Sequence, residues 1–202
     1  MHIVCCDLEG VWVPEVWINV SAKTGIEELK LTTRDIKDYD ELMNYRLKIL
    51  DEHNLKLKDI QDVISTLKPL EGAKDMIEWL KANTRLIVVS DTFEEFADPL
   101  MRQLDYPTLF CHSLEVDKDN RITGYKLRQK DPKRQVVKAL KSMNYTVIGF
   151  GDSYNDISML QEADKAFLYN PPENVIGDYT EFPVATNYQE MKKLLLEMFS
   201  GA

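Results

Sequence analysis

The sequence predicts an α/β protein: a Rossmann-like parallel sheet with a small helical insert directly after its first strand. Three observations predict it. The apolar runs at residues 3–6, 86–89 and 145–150 are continuous, as expected of strands covered on both faces. From residue 69 onward such runs alternate with segments whose apolar residues recur at helical spacing. Residues 14–68 carry helical patterning and no convincing strand. The core is therefore expected at 1–13 and 69–202, and the insert at 14–68.

The first run ends in Asp7-Leu8-Glu9-Gly10, so a buried strand delivers two carboxylates to a loop. Pro14 suits the first turn of a helix that Gly25 closes. A second helix is expected over 39–53, with Leu42, Ile49 and Leu50 on one side, and a third over 58–67, stopped by Pro69. Gly72 opens a helix whose face is Ala73, Met76, Ile77 and Leu80. Residues 86–89 form a strand ending in Ser90-Asp91-Thr92, and Phe93, Phe96, Leu100 and Leu104 mark the next helix. Residues 109–111 read as a short strand, and 113–116 with 122–127 as a ribbon about the polar turn at 117–120. Asp131 is the expected cap, and Pro132 the first position, of the following helix. The strand at 145–150 ends in Gly151-Asp152-Ser153-Tyr154-Asn155-Asp156. A helix, a strand at 166–169, a loop carrying Pro171-Pro172 and a terminal helix over 188–199 complete the chain.

The 202 residues are 44% hydrophobic and 29% charged, which favours a folded globule over disorder. The formal net charge of -9 would repel a phosphate backbone, so no nucleic-acid partner is expected. The same charge disfavours an anionic substrate unless a metal or a basic pocket reverses the field locally. The three cysteines, Cys5, Cys6 and Cys111, lack Cys-x-x-Cys spacing and read as reduced thiols of a cytoplasmic protein, with packing the expected role of Cys5 and Cys6. No apolar run reaches the length of a membrane span, so no membrane partner is expected. His2, His53 and His112 have no metal-ligand spacing and read as surface or core residues.

Ligands of open α/β sheets sit beyond the carboxyl ends of the strands, where the acids of this chain lie. Asp7 can attack phosphorus once a divalent cation screens its charge, and Glu9 can give and take a proton. Ser90 with nearby backbone amides suits phosphate oxygens, and a lysine among Lys130 and Lys133 suits its charge. Mg²⁺ takes few protein ligands, which matches one oxygen each from Asp7 and Asp152. Arg46 shares a helix face with Leu42 and Ile49, so its guanidinium needs an anion, and a substrate carboxylate would fit it bidentately. Glu15 could meet an ammonium.

These elements, in this order, resemble the haloacid dehalogenase superfamily, and the insert resembles the cap of its phosphoserine phosphatase branch. Asp7-Leu8-Glu9-Gly10-Val11, Ser90-Asp91-Thr92-Phe93 and Gly151-Asp152-Ser153-Tyr154-Asn155-Asp156 are similar to the bacterial bifunctional phosphoserine phosphatase/homoserine phosphotransferase family. The resemblance implies phosphoserine and homoserine as substrates and an aspartyl-phosphate at Asp7. It implies Glu9 as acid/base that also offers its backbone carbonyl to Mg²⁺. It further implies Ser90 and Asn155 as phosphate or substrate contacts and Lys133, preferred over Lys130, as the bridge between phosphate and nucleophile. Asp152 would hold the metal, with Asp156 behind it, and Arg46 and Glu15 would read the two ends of an amino acid. The pattern departs from the family at Glu9, usually Asp, and at Asp91-Thr92, usually Gly-Gly. A carboxylate beside phosphate needs a cation, so Asp91 is expected to face the ammonium of substrate or acceptor. Another small phosphate ester is the alternative substrate, and a non-catalytic phospho-aspartate switch the alternative class. Exposed surface on the insert could support a homodimer, without any particular patch standing out.

Overall fold

The computed structural model describes residues 1–33, 35–36 and 38–201. The first strand, β1 (His2–Cys6), enters the insert through the buried loop at 7–15. The insert holds α1 (Val16–Thr24), a 3-10 turn at Glu27–Lys30, α2 (Tyr39–Glu52) and α3 (Leu57–Ser65). Gly25 closes α1 in the left-handed region at φ 73°, where a Cβ would be strained. Asp38 accepts from the Glu41 amide and caps α2.

The chain then runs through α4 (Ala73–Asn83), β2 (Leu86–Phe93), α5 (Glu94–Gln103), β3 (Thr108–Val116) and β4 (Ile122–Lys126). It continues through α6 (Pro132–Ser142), β5 (Thr146–Gly151), α7 (Ile157–Glu162), β6 (Lys165–Tyr169), α8 (Glu173–Asp178), β7 (Val184–Ala185) and α9 (Tyr188–Ser200). The sheet order is β4-β3-β2-β1-β5-β6-β7, parallel throughout except for the antiparallel β3–β4 pair. β1 is thus central, and the crevice at its carboxyl end opens between β2 and β5. Strand order reverses there, which is where such sheets bind ligands.

Alternation of side chains across β1 sends Cys5 to one face of the sheet and Cys6 to the other. All three thiols are free and buried, in keeping with the packing role expected of Cys5 and Cys6. Cys6 Sγ accepts from the Trp12 indole at 3.2 Å, and Trp12 stacks on Tyr188. The buried residues of the insert, among them Trp17, Met43 and Ile60, join one cluster with Phe93 and Phe96 of the sheet side. The insert therefore buries its apolar stripe against the core as well as among its own helices.

Several expectations need correction. Ser90-Asp91-Thr92 lies within β2 and does not end it: pairing with β3 shifts register between Val89 and Phe93, and the strand resumes at Phe93 opposite His112. Residues 109–111 and 113–116 belong to one strand, because β3 pairs with β2 by its first half and with β4 by its second. Asp131 occupies the cap position in the left-handed region, at φ 50°, and its carboxylate accepts from Ser158 Oγ instead of capping α6. The stretch after Pro171-Pro172 holds α8 and the two-residue β7, both too short to register as a pattern.

Candidate active site

Three adjacent strands deliver the site. β1 brings Asp7, β2 brings Ser90, Asp91 and Thr92, and the turn after β5 brings Asp152, Asn155 and Asp156. α6 brings Lys133 in its first turn. Lys133 is 1% exposed, and its ammonium lies 3.0 Å from Asp7 Oδ2, 2.7 Å from Asp156 Oδ1 and 3.6 Å from Asp91 Oδ2. Lys130, the competing lysine, is exposed. The other Asp7 oxygen accepts from the Leu8 amide at 2.7 Å.

One ammonium facing three carboxylates sets the electrostatics. Burial pulls the Lys133 ammonium down, but Asp156, Asp7 and Asp91 outweigh it and hold it well above the usual lysine range. Burial pushes the Asp7 carboxyl well above its usual value; Lys133 opposes this, and Asp156, Asp152 and Asp91 add to it. A cation beside Asp7 would reverse that balance.

Asp7, Asp152 and Asp156 can each bring a carboxylate oxygen within 4.8 Å of the others. Hard oxygen donors in a buried anionic cluster fit a divalent cation. Within this cluster Asp156 is already engaged. Its Oδ1 accepts from Lys133, and its Oδ2 accepts from the amides of Asp152 at 3.0 Å and Ser153 at 3.1 Å. Two glycines let the loops close this tightly. A Cβ on Gly10, at φ 76°, would sit 2.6 Å from Asp152 Oδ2, and one on Gly151 would sit 2.2 Å from Asp156 Cγ.

Glu9 projects from the same loop as Asp7. Its Oε2 accepts from the Val16 amide at 2.8 Å, so it satisfies the first free N–H of α1. Burial and the nearby Glu15 raise its pKa to about 7; the Val16 bond, Arg46 and a hydrogen bond to Thr92 pull the other way. A carboxyl poised near neutrality suits proton transfer in both directions. Ser90 is buried, and its Oγ accepts from the Thr92 amide at 3.2 Å.

A cavity of about 80 Å³ joins Asp7, Glu9, Ser90 and Asp152 to Glu15, Trp17 and Arg46 of the insert. Arg46 is 6% exposed and lies over the Trp17 ring at 4.6 Å from its centroid. Its Nη2 donates to the Leu31 carbonyl at 2.9 Å, and its buried Nε has no hydrogen-bond partner among the described residues. Burial lowers its pKa to about 10 against the pull of Tyr39, Glu9 and Glu15, which leaves it charged at neutral pH.

Asp91 has a cation beside it within the chain, Lys133. Its Oδ2 accepts from Asn155 Nδ2 at 2.8 Å and faces Lys133, and its Oδ1 lies 3.5 Å from His112 Nε2. Burial would raise the carboxyl, but Lys133, His112 and Asn155 outweigh it and hold it well below the usual range. Asn155 is correspondingly tied to Asp91 and to Ser153 Oγ. Tyr39 adds a link from the insert, donating to the Asp91 carbonyl at 2.9 Å. Neither Tyr39 nor His112 stood out in the sequence. The one available signal was Asp91 itself, a carboxylate beside the expected phosphate site that requires a cation.

The family model for haloacid dehalogenase-like hydrolases matches residues 8–164. The chain belongs to the haloacid dehalogenase-like hydrolase family. This hydrolase is 58% identical over 200 residues to phosphoserine phosphatase ThrH of Pseudomonas aeruginosa, covering 99% of this chain and 98% of the relative. It is also 58% identical over 193 residues to a phosphoserine phosphatase of Pseudomonas syringae, covering 96% of this chain and 81% of that one. Among solved structures, an apo phosphoserine phosphatase superposes with a TM-score of 0.76 at 20% identity, over 95% of this chain and 97% of the other. A phospho-aspartyl intermediate analogue of phosphoserine phosphatase superposes with a TM-score of 0.75 over the same shares. At that identity these two structures speak to the fold. Among the described residues no helix is long and apolar enough to cross a membrane.

Proposed function

We propose that this hydrolase is a Mg²⁺-dependent phosphoserine phosphatase that also passes the phosphoryl group to homoserine, through an aspartyl-phosphate at Asp7. The observation that carries the substrate is Arg46: a buried guanidinium with an unpartnered Nε, lining the same small cavity as the nucleophile. A carboxylate is the bidentate partner that geometry asks for. The names of the two curated relatives point the same way. Homoserine as second acceptor rests on the resemblance of the three motifs, and self-association as a homodimer on the exposed surface of the insert. Three buried free thiols suit a reducing, cytoplasmic compartment.

In this reading residues 14–68 form a cap that opens to admit substrate, since about 80 Å³ holds only a few waters. An Asp7 oxygen attacks phosphorus opposite the serine oxygen. The phosphorus–oxygen bond to serine breaks, and Glu9 gives that oxygen its proton. Glu9, now a carboxylate, takes a proton from water or from the homoserine hydroxyl. That oxygen attacks phosphorus and frees Asp7. Lys133 and Ser90 hold the phosphate oxygens, and Glu15 faces the substrate ammonium. Asp7 and Asp152 would hold Mg²⁺, with Asp156 behind them, and bound there it would screen Asp7 from the phosphate charge. A stable phospho-aspartate switch should lack a carboxyl poised like Glu9, which argues against that class.

Phosphorus NMR with phosphoserine and Mg²⁺, with and without homoserine, tests this directly. Free phosphate, and phosphohomoserine when homoserine is present, are expected from the native protein and neither from Asp7→Asn. No turnover of phosphoserine would sink the proposal, and phosphate alone would remove the transfer step. Arg46→Met should raise KM for phosphoserine by about thirtyfold or more, the loss of a buried charge partner, and leave p-nitrophenyl phosphate little affected.

A further inference from the structure

We propose that His112 is a positioning residue for phosphoryl transfer: it holds Asp91 so that Asp91 does not draw Lys133 away from Asp7. The inference rests on the aspartyl-phosphate reading of Asp7 and concerns a residue outside the three motifs. His112 sits in the middle of β3, 3% exposed, opposite Phe93 where β2 resumes its pairing after the register shift. That shift brings Asp91 and His112 side by side across two strands. The ring is fixed from both ends. Nδ1 accepts from the Arg128 amide at 3.2 Å, so it carries no proton, and the ring proton resides on Nε2. Nε2 faces Asp91 Oδ1 at 3.5 Å, a contact long enough to tighten when substrate loads the site. Tyr39 and Phe93 pack edge-on or tilted against the imidazole and restrict its movement.

Asp91 has four partners pulling on one peptide unit. Its Oδ1 faces His112, its Oδ2 takes Asn155 and approaches Lys133, and its carbonyl takes the Tyr39 hydroxyl. Lys133 is the shared resource. Its ammonium is 3.0 Å from Asp7 and 3.6 Å from Asp91, so the two acids compete for one cation across a difference of 0.6 Å. A donor on Oδ1 draws negative charge to the far side of the Asp91 carboxylate and weakens its hold on Lys133. Removing that donor leaves the partly buried carboxylate one partner short, and the Lys133 ammonium, 3.6 Å away, is its remaining cation. The expected result is a lysine shifted from the nucleophile toward Asp91, a defect in the chemical step with amino-acid binding intact.

The test separates the two ends of the ring. His112→Asn can still accept from the Arg128 amide but cannot reach Asp91; His112→Gln reaches Asp91 with its amide and gives up the Arg128 bond. With p-nitrophenyl phosphate and phosphoserine both as substrates, His112→Asn should lower kcat about tenfold or more, the scale of a lost hydrogen bond to a charged group, with KM within about twofold. His112→Gln should recover at least a third of the native kcat. In the Asp91→Asn background, His112→Asn should change kcat less than about threefold, since the two act as a unit. Equal losses in the Asn and Gln variants, a loss confined to KM, or full additivity with Asp91→Asn would overturn the role. Should His112→Asn not fold, His112→Phe, which keeps a ring but can bond neither partner, takes its place in the cycle with Asp91→Asn. Native protein that turns over neither substrate would refute the aspartyl-phosphate reading instead, an outcome the variants cannot mimic.

Discussion

Replacing Gly151 with alanine should unlock the anionic cluster without touching a reacting atom. An alanine Cβ there would lie 2.2 Å from Asp156 Cγ and 2.3 Å from Oδ2. Asp156 is fully buried and has nowhere to retreat. Moving it disturbs three bonds together: those from Lys133 at 2.7 Å and from the amides of Asp152 and Ser153. Hydrogen bonds to a charged group are worth about 1.5–3 kcal/mol each, and members of one network do not add fully. A loss of about 3–6 kcal/mol is therefore expected, a large share of the ~5–15 kcal/mol that holds such a protein folded. At this chain length that lowers Tm by roughly 6–24 °C. Calorimetric melting of the native protein, Gly151→Ala and Gly177→Ala provides the assay. Gly177 lies in α8, where an added Cβ would meet nothing within 4 Å, so its alanine variant should be neutral or slightly stabilising. A Gly151→Ala protein melting within about 2 °C of native would refute the claim that Asp156 is locked.

Mg²⁺ should stabilise the protein by relieving the acids around Asp7: about 2.7 kcal/mol at a hundred times its dissociation constant, or roughly 5–10 °C in Tm. Asp152→Asn should lose most of that shift, and a native protein indifferent to millimolar Mg²⁺ would count against the metal. In EDTA, Glu9 should contribute a pH-dependent stability. Its folded pKa of about 7 lies above its unfolded value, so its contribution is full below about pH 4.5 and lost as pH rises through 7. Urea titrations of native protein and Glu9→Gln should therefore diverge across that window, and parallel curves would remove the shift. Burial pushes the Cys5 and Cys111 thiols up to about 12. At pH 8 their thiolate fraction is on the order of one in ten thousand, so iodoacetamide should spare them until guanidinium unfolds the chain; rapid native labelling would contradict the burial.

Much of the sheet was legible because β1, β2 and β5 are buried on both faces and must be continuously apolar. The abrupt change from apolar to polar residues announced Asp7 and Asp152 at the carboxyl ends of β1 and β5, and Ser90 within β2. Arg46 was legible from its helix face, since a charge among Leu42 and Ile49 needs a partner. What stayed hidden depends on pairing across strands. The register shift that places His112 beside Asp91 leaves no trace in either strand alone, and neither does the approach of Lys133 to the same carboxylate. The choice of Lys133 over Lys130 turned on the direction of one helical turn, and β7, two residues long, exists only because β6 offers it an edge.

The bond from the Val16 amide to Glu9 ties the carboxyl proposed to transfer the proton to the first turn of α1, the insert's opening helix. Swinging the insert aside would carry that amide away and leave Glu9 without its anchor. An open molecule would then hold a phosphorylated Asp7 with no aligned base beside it. The chemistry would pause while one alcohol diffuses out and another diffuses in, and would restart on closure. The same contact that shapes a helix terminus would thus act as a clock, setting how long the intermediate survives and hence how its phosphoryl group is shared between water and a competing hydroxyl.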